Sequence, residues 1–371
     1  MASCDFCKDN PMNQLKSCVC GKASYCSKEC QAKDWKTHKP SCPPFVIRES
    51  PGKGRGLFAT RKIKEGQIIL DEYPLLTVND GTMSFSKFRA CYYPNIDAET
   101  KAKILKLNDP SENLNELDTR TVEKMTSKNL RVMFWSDTSS EEMRKIFRIV
   151  SSNSAPICQK VELYGNDLEV GLFNNLSFIN HSCVPNVARS WVMADFKRHQ
   201  VRALKTIEKG EEILENYWDT EKFTYGSREF RREQLMEFGF LCECSECSLE
   251  GEALQDNERM RAKVRENEPK LEQLLVLGCE GSDSDIRESL KKAMKLAQQR
   301  VKLIQKLDLR SQFVTEMAKF SCLAAGARDI GVSCQNDPDV FQQEALKYAK
   351  MFGDRYIYLY NRLMPECQIY S

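Results

Sequence analysis

The sequence lacks any apolar run near the ~18–20 residues that a membrane-spanning helix needs, which excludes a helical integral membrane protein. Its opening, MASCDFCKDN, holds no apolar leader core, so the chain is expected to stay inside the cell. It lacks a charge excess of either sign: 55 basic residues face 53 acidic ones, a net charge of +2. That excludes a general polyanion binder and leaves open only a local basic patch. Collagen, coiled-coil and wholly disordered signatures are absent too. Apolar residues make up 41% and charged residues 29% of 371, which is the balance of a soluble globular chain with room for two or three domains.

Cysteine is what the chain has in excess, with 17 residues. In a secreted protein they would suggest disulfides; in an intracellular chain of this length they suggest metal. Seven lie before residue 43 and three more at Cys242, Cys244 and Cys247. Cys91, Cys158, Cys279, Cys322, Cys334 and Cys367 are expected to be reduced core or surface residues.

Residues 1–42 are too few for an ordinary apolar core, so this unit needs metal or disulfides. Pro43-Pro44 closes it. Its soft ligands run Cys4-x2-Cys7, Cys18-x-Cys20, Cys26-x3-Cys30 and His38-x3-Cys42. Eight ligands fill two tetrahedral zinc sites with no position for water, so both are structural. Seven lysines against four acids make the unit look basic, but seven thiolates and two Zn²⁺ offset that charge. No nucleic-acid signal remains.

Residues 45–80 read as strands joined by turns, including the glycine-rich Ser50-Pro51-Gly52-Lys53-Gly54-Arg55-Gly56. Because no helix begins there, a dinucleotide fold is excluded. Residues 81–152 read as a polar helical insertion, best at Thr121–Phe134 and Ser140–Val150. Strand text returns at 161–173 and around 187–215. From about 251 the pattern is helical, in roughly four helices. One buried stripe runs through Ile286, Leu290, Ala293, Ala297, Val301 and Ile304, with Asp283 or Ser284 as its cap. No repeat signature marks a tetratricopeptide-like arrangement, which stays one option.

Three separated segments need one explanation. Alternate glycines at Gly52, Gly54 and Gly56 let the backbone approach a ligand closely. Phe178-Ile179-Asn180-His181-Ser182-Cys183 is a dense polar cluster in apolar text, and buried polar groups must find partners. Ile207 to Tyr217 is a turn, a strand and an aromatic hydroxyl. The triplet Cys242-x-Cys244-x2-Cys247 offers only three ligands, and Cys183 is the natural fourth of a third closed zinc site.

In this order the segments closely resemble the SET and MYND (SMYD) family of protein-lysine methyltransferases, over essentially the whole chain. The finger resembles a MYND zinc finger, including Tyr25-Cys26, Cys30-Gln31, Trp35, His38 and Cys42. That resemblance implies interleaved ligation: Cys4, Cys7, Cys26 and Cys30 on one zinc, Cys18, Cys20, His38 and Cys42 on the other. It implies an α+β protein. Its parts would be a MYND finger at 1–43, the first part of a β-rich SET domain at 44–80 and a helical insertion at 81–152. The SET core would span 153–220, a zinc-bearing post-SET segment 221–250 and a C-terminal helical domain 251–371. It further implies methyl transfer from S-adenosylmethionine to a protein lysine. Lys53, Gly54, Arg55, Asn153, Asn180, His181 and Phe240 would line the cofactor site, and Tyr217 would sit where donor and lysine meet. Without the resemblance Tyr217 would be read as a core tyrosine, and Lys53 and Arg55 as loop charges.

The chain departs from the family at two points. The pair Cys18-Val19-Cys20 is one residue shorter than the usual Cys-x2-Cys, and Phe238 stands where active members carry a second tyrosine. The expected partners are a histone or non-histone protein lysine and a proline-rich peptide at the finger; the chain is expected as a monomer in cytoplasm and nucleus. The competing reading is a scaffold that keeps the zincs without turnover. A zinc hydrolase is excluded because every ligand set is closed. His199, in a polar stretch, is expected to be exposed.

Overall fold

The computed structural model describes residues 3–9, 15–18, 20, 22–80, 96–107, 109, 140–159, 168–192, 194–280, 282–329, 331–332 and 338–357. In the first unit β1 (Lys16–Ser17) pairs antiparallel with β2 (Ser24–Tyr25), and α1 spans Lys28–His38. Ser27 caps α1 by accepting the N–H of Cys30 at 3.2 Å. The interior consists of Cys4, Cys18 and Cys42 with Ala23 and Tyr25, so its cohesion depends on the cysteines.

Three sheets follow. β3 (Phe45–Ser50) and β4 (Gly54–Ala59) form a hairpin whose turn needs Gly52 and Gly54 at φ +72°, a region glycine enters without steric cost. β12 (Glu212–Glu215) pairs antiparallel with β4, and on its other edge it pairs in parallel with β9 (Asn180–His181), Leu214 facing Asn180. One sheet, ordered β3-β4-β12-β9, thus gathers the glycine turn, the Asn-His pair and the strand leading to Tyr217. A second sheet is β10-β11-β5 (Val187–Val192, Asp195–Ala203 and Ile68–Glu72). The third is β6-β8-β7 (Leu76–Asp80, Leu168–Leu172 and Ser154–Gln159). Leu57, Ile63, Phe173, Val201, Ile207 and Ile213 form the buried centre shared by these sheets.

Strand structure near 161–173 begins at Leu168 among the described residues, and 160–167 lie outside them. Of the expected insertion helices, Thr121–Phe134 falls outside the described residues. The second is α3 (Ser140–Asn153), preceded by α2 (Ala98–Ile104). After β12 come α4 (Glu221–Thr224) and α5 (Arg228–Leu235). Four longer helices close the described chain: α6 (Gly251–Glu280), α7 (Asp283–Lys306), α8 (Arg310–Asp329) and α9 (Pro338–Phe352). Their core is separate from the sheet core and takes in Ala188 of β10 and Leu204, just after β11, so the helices pack against this edge of the sheets.

Two expectations are corrected here. The cap of α7 is Ser282, in a reciprocal capping box with Asp285, rather than Asp283 or Ser284. His199 is buried, not exposed: its Nε2 donates to the carbonyl of Ile157 at 2.6 Å and its ring packs against Phe173. On β11 the neighbours Arg198 and Gln200 turn the other way and hold Asp71 on the surface, so strand alternation hides His199 among polar text.

Candidate active site

The four thiols of Cys183, Cys242, Cys244 and Cys247 lie within 4.8 Å of one another, all buried. Cys183 Sγ is 3.6 Å from Cys247 Sγ and 4.0 Å from Cys242 Sγ. A tetrahedron of sulfurs about 2.3 Å from zinc has edges of ~3.8 Å, so the donor set fits the ion in both chemistry and size. α5 braces this knot from outside. Arg232 donates to the carbonyls of Cys242 and Cys247, both at 3.1 Å, while the fully buried Arg231 reaches Gly226 O at 2.6 Å and Cys247 Sγ at 3.8 Å.

From the knot a chain of contacts runs to Tyr217. The N–H of Tyr217 donates to His181 Nδ1 at 3.2 Å, which leaves the ring proton on Nε2. Nε2 is 3.4 Å from Cys183 Sγ and donates to it. Burial, with Arg231 and Lys53 adding to it, pushes the imidazole pKa down to about 3, so the ring is neutral. The Tyr217 hydroxyl donates to Ile179 O at 3.0 Å. Burial first, then Glu215 and Glu212, raise its pKa above the usual phenol value, so the group remains a donor. Phe238 and Phe240 flank it, with centroids 5.1 and 6.2 Å away, and Phe240 is 6.1 Å from His181.

The glycine-turn residues meet Asn180 through Glu212. The Glu212 carboxylate accepts from Ser50 Oγ at 2.8 Å, Lys53 Nζ at 3.1 Å and Asn180 Nδ2 at 2.8 Å. Asn180 Nδ2 also donates to Arg55 O at 3.2 Å. Both amide protons are therefore engaged, which leaves the amide oxygen as the side chain's remaining hydrogen-bonding atom. Lys53 is tied to Glu212 by an ion pair. The Arg55 guanidinium lies 4.8 Å over the Phe178 ring and donates to Lys106 O at 2.6 Å, leaving its main chain beside Asn180. Asn153 ends α3, where its Nδ2 donates to Ile149 O at 2.7 Å and its carbonyl accepts from Ser177 Oγ at 3.3 Å. Glu212 carries no role in the sequence reading. Its signal was its place on β12 opposite Phe58, on the face away from the buried Ile213.

At the N-terminus Cys4, Cys7, Cys26 and Cys30 form one cluster and Cys18, Cys20, His38 and Cys42 another. Cys7 and Cys26 sulfurs are 3.6 Å apart, and Cys20 Sγ is 3.2 Å from His38 Nε2. Burial and the neighbouring Cys20 and Cys18 push Cys42 up to about 12. Cys18 falls to about 7 because the Cys20 main chain and His38 outweigh its burial. Without a cation such thiols ionise unequally; Zn²⁺ holds them all as thiolates. Cys18 and Cys20, with one residue between them in sequence, both join the second cluster. A fourth group, Glu221, Glu268 and Glu316, has Lys319 Nζ bonded to all three at 3.0, 3.1 and 3.5 Å. This is an ion-pair network and not a metal site.

The SET domain family matches residues 54–218 and the MYND finger family residues 4–42, together more than half of the chain. This chain belongs to the SET and MYND family. Among SET and MYND proteins, N-lysine methyltransferase SMYD2 of Sus scrofa is 27% identical over 269 residues, 72% of this chain and 54% of that protein. Histone-lysine N-methyltransferase SMYD3 of Homo sapiens is 27% identical over 282 residues, 73% of this chain and 58% of that protein. The chain thus spans about half the length of the relatives it matches. A solved SET domain of LSMT, bound to lysine and AdoHcy, aligns over 92% of both chains at 13% identity and a TM-score of 0.37, too distant a likeness to carry function.

Proposed function

We propose that this SET and MYND protein transfers the methyl group of S-adenosylmethionine to lysine side chains of histone or non-histone proteins. The observation that carries this reading is the convergence of Tyr217, His181, Phe240 and Asn180 beside the third cysteine cluster. When bound, S-adenosylmethionine supplies a sulfonium methyl open to in-line displacement. The Asn180 acceptor oxygen suits an ammonium, and the main chain at Gly54–Arg55 lies beside it. Phe240 offers an aromatic face to the adenine. Lys53 and Asn153 serve the same pocket, Lys53 by fixing Glu212 and Asn153 by its contact with Ser177.

The attacking amine must be neutral, yet a free lysine titrates near 10.4. Apolar walls built from Tyr217, Phe238 and Phe240 lower that value by desolvation. The Tyr217 hydroxyl and Ile179 carbonyl then align the lone pair, a positioning effect. The zinc sites hold the walls and stay outside the chemistry.

Phe238 favours a second reading. Its ring packs on Tyr217 and carries no hydroxyl, so the protein could instead be a scaffold with little turnover, binding proline-rich partners through the finger. Either way it acts as a monomer in cytoplasm and nucleus. No helix among the described residues is long and apolar enough to cross a membrane. The test is labelled-methyl transfer from S-adenosylmethionine to a histone and proteome-derived protein panel, with calorimetry of cofactor binding. Label on lysine supports the enzyme, binding without label supports the scaffold, and neither refutes both.

A further inference from the structure

Tyr217 is the second residue of a short loop between β12 and α4, and the loop is held from a second side. Asp219, two residues on, points its carboxylate at the C-terminal helices. It accepts from Gln312 Nε2 at 2.8 Å and Arg355 Nη1 at 3.0 Å, with Ser311 Oγ at 3.5 Å. Gln312 and Ser311 lie in the first turn of α8, and Arg355 lies in a helical turn just beyond α9. Arg355 is itself fixed: its main-chain N–H donates to Ser190 Oγ on β10 at 2.8 Å. Just before it, Gly353 takes φ +103° and passes so close that a Cβ would meet Arg202 Nε at 3.1 Å and Ser190 Oγ at 3.2 Å. The side chains of Asp219 and Arg355 are 17% and 26% exposed, so the pair is partly desolvated.

We infer that Asp219 is a positioning residue for Tyr217, through which the C-terminal helices set the geometry of methyl transfer. The inference rests on the transferase reading and deepens it. One end of the loop is fixed by His181 on the zinc side, through the Tyr217 N–H. The Tyr217 hydroxyl is held on the same side by Ile179 O, so the loop can still pivot about that end; the hold at Asp219 on the other side removes that freedom. Within the loop Trp218 N–H donates to Asn216 Oδ1 at 3.2 Å and Thr220 N–H to Trp218 O at 2.7 Å, so displacement at 219 is passed to 217. Because a shift of ~1 Å in a reacting group costs up to about a hundredfold in rate, releasing Asp219 lowers kcat without touching cofactor contacts.

The experiment uses the full chain with Asp219→Ala, Arg355→Met, Gln312→Ala and the Asp219→Ala/Arg355→Met double variant. Amide hydrogen exchange over 216–220 is read alongside kcat and KM. Expected are faster exchange in that segment and kcat lowered about tenfold in Asp219→Ala, with KM for S-adenosylmethionine unchanged. The double variant falls no further than Asp219→Ala, and Asp219→Asn, which keeps an acceptor, recovers part of the loss. If Arg355→Met does not fold, Gln312→Ala carries the comparison. Wild-type exchange at 216–220 in the folded variants overturns the inference. So does a wild-type kcat per folded molecule. If the wild-type protein transfers no methyl group, the transferase reading fails separately and the exchange result alone decides whether Asp219 holds the loop.

Discussion

The main-chain N–H of Tyr217 is hydrogen-bonded to His181 Nδ1, whose opposite ring nitrogen donates to the Cys183 sulfur. Tyr217, for which a part in methyl transfer is proposed, and Cys183 of the third cysteine cluster are therefore joined by a single imidazole ring. Loss of metal at Cys183 is expected to reach Tyr217 through that ring.

Elemental analysis returns about three zinc ions per wild-type chain and about two for Cys183→Ser, in line with the three closed donor sets. The variant unfolds at lower temperature, since each structural zinc contributes folding free energy on the order of 10 kcal/mol in isolated fingers. Three zincs retained by Cys183→Ser would contradict the assignment.

Gly56 lies under the Glu212–Asn180 hydrogen bond. A Cβ there would sit 2.5 Å from Glu212 Oε1 and 2.8 Å from Asn180 Nδ2, so Gly56→Ala must force the two apart. Loss of one charge-assisted bond at ~1.5 kcal/mol predicts roughly tenfold weaker S-adenosylmethionine binding by calorimetry. Unchanged affinity would show that Glu212 does not orient Asn180.

Phe238→Tyr adds a hydroxyl to a ring 5.1 Å from that of Tyr217. A second polar group beside the amine changes how a partly methylated lysine can turn. The product distribution among mono-, di- and trimethyl-lysine, read by mass spectrometry, is expected to shift. An identical distribution and rate would make position 238 irrelevant to the chemistry.

Buried charge gives a pH dependence. Burial alone would raise the Glu316 carboxyl, but Arg300, bonded to it through two nitrogens at 2.8 Å, and Lys319 hold it below the usual range. Its folded pKa lies under its unfolded one, ~4.3, so the stabilisation is present above that pH and fades as pH falls through the folded value. Glu316→Gln is expected to cost about 3 kcal/mol near pH 7. The gap in melting temperature from wild type should close in acid; a gap independent of pH would contradict the pairing.

The metal sites were legible because thiolate spacing is local chemistry. Cys183 was found by counting ligands, although it stands 59 positions before Cys242. The helical C-terminus was legible from its apolar step, yet Arg300 lies fully buried on that same stripe. Its partner Glu316 is on the next helix, and pairing between helices leaves no periodic trace. Arg231 and Arg261 are buried likewise by contacts distant in sequence. Glu212 and Asp219 escaped notice for the same reason: each looks like an ordinary surface acid until the partner strand or helix arrives.

The most direct measurement is single-turnover methyl transfer by Tyr217→Phe beside its S-adenosylmethionine affinity. The account predicts a rate lowered about a hundredfold with affinity within twofold of wild type. A wild-type rate would contradict it, since the hydroxyl donating to Ile179 would then have no part in aligning the amine.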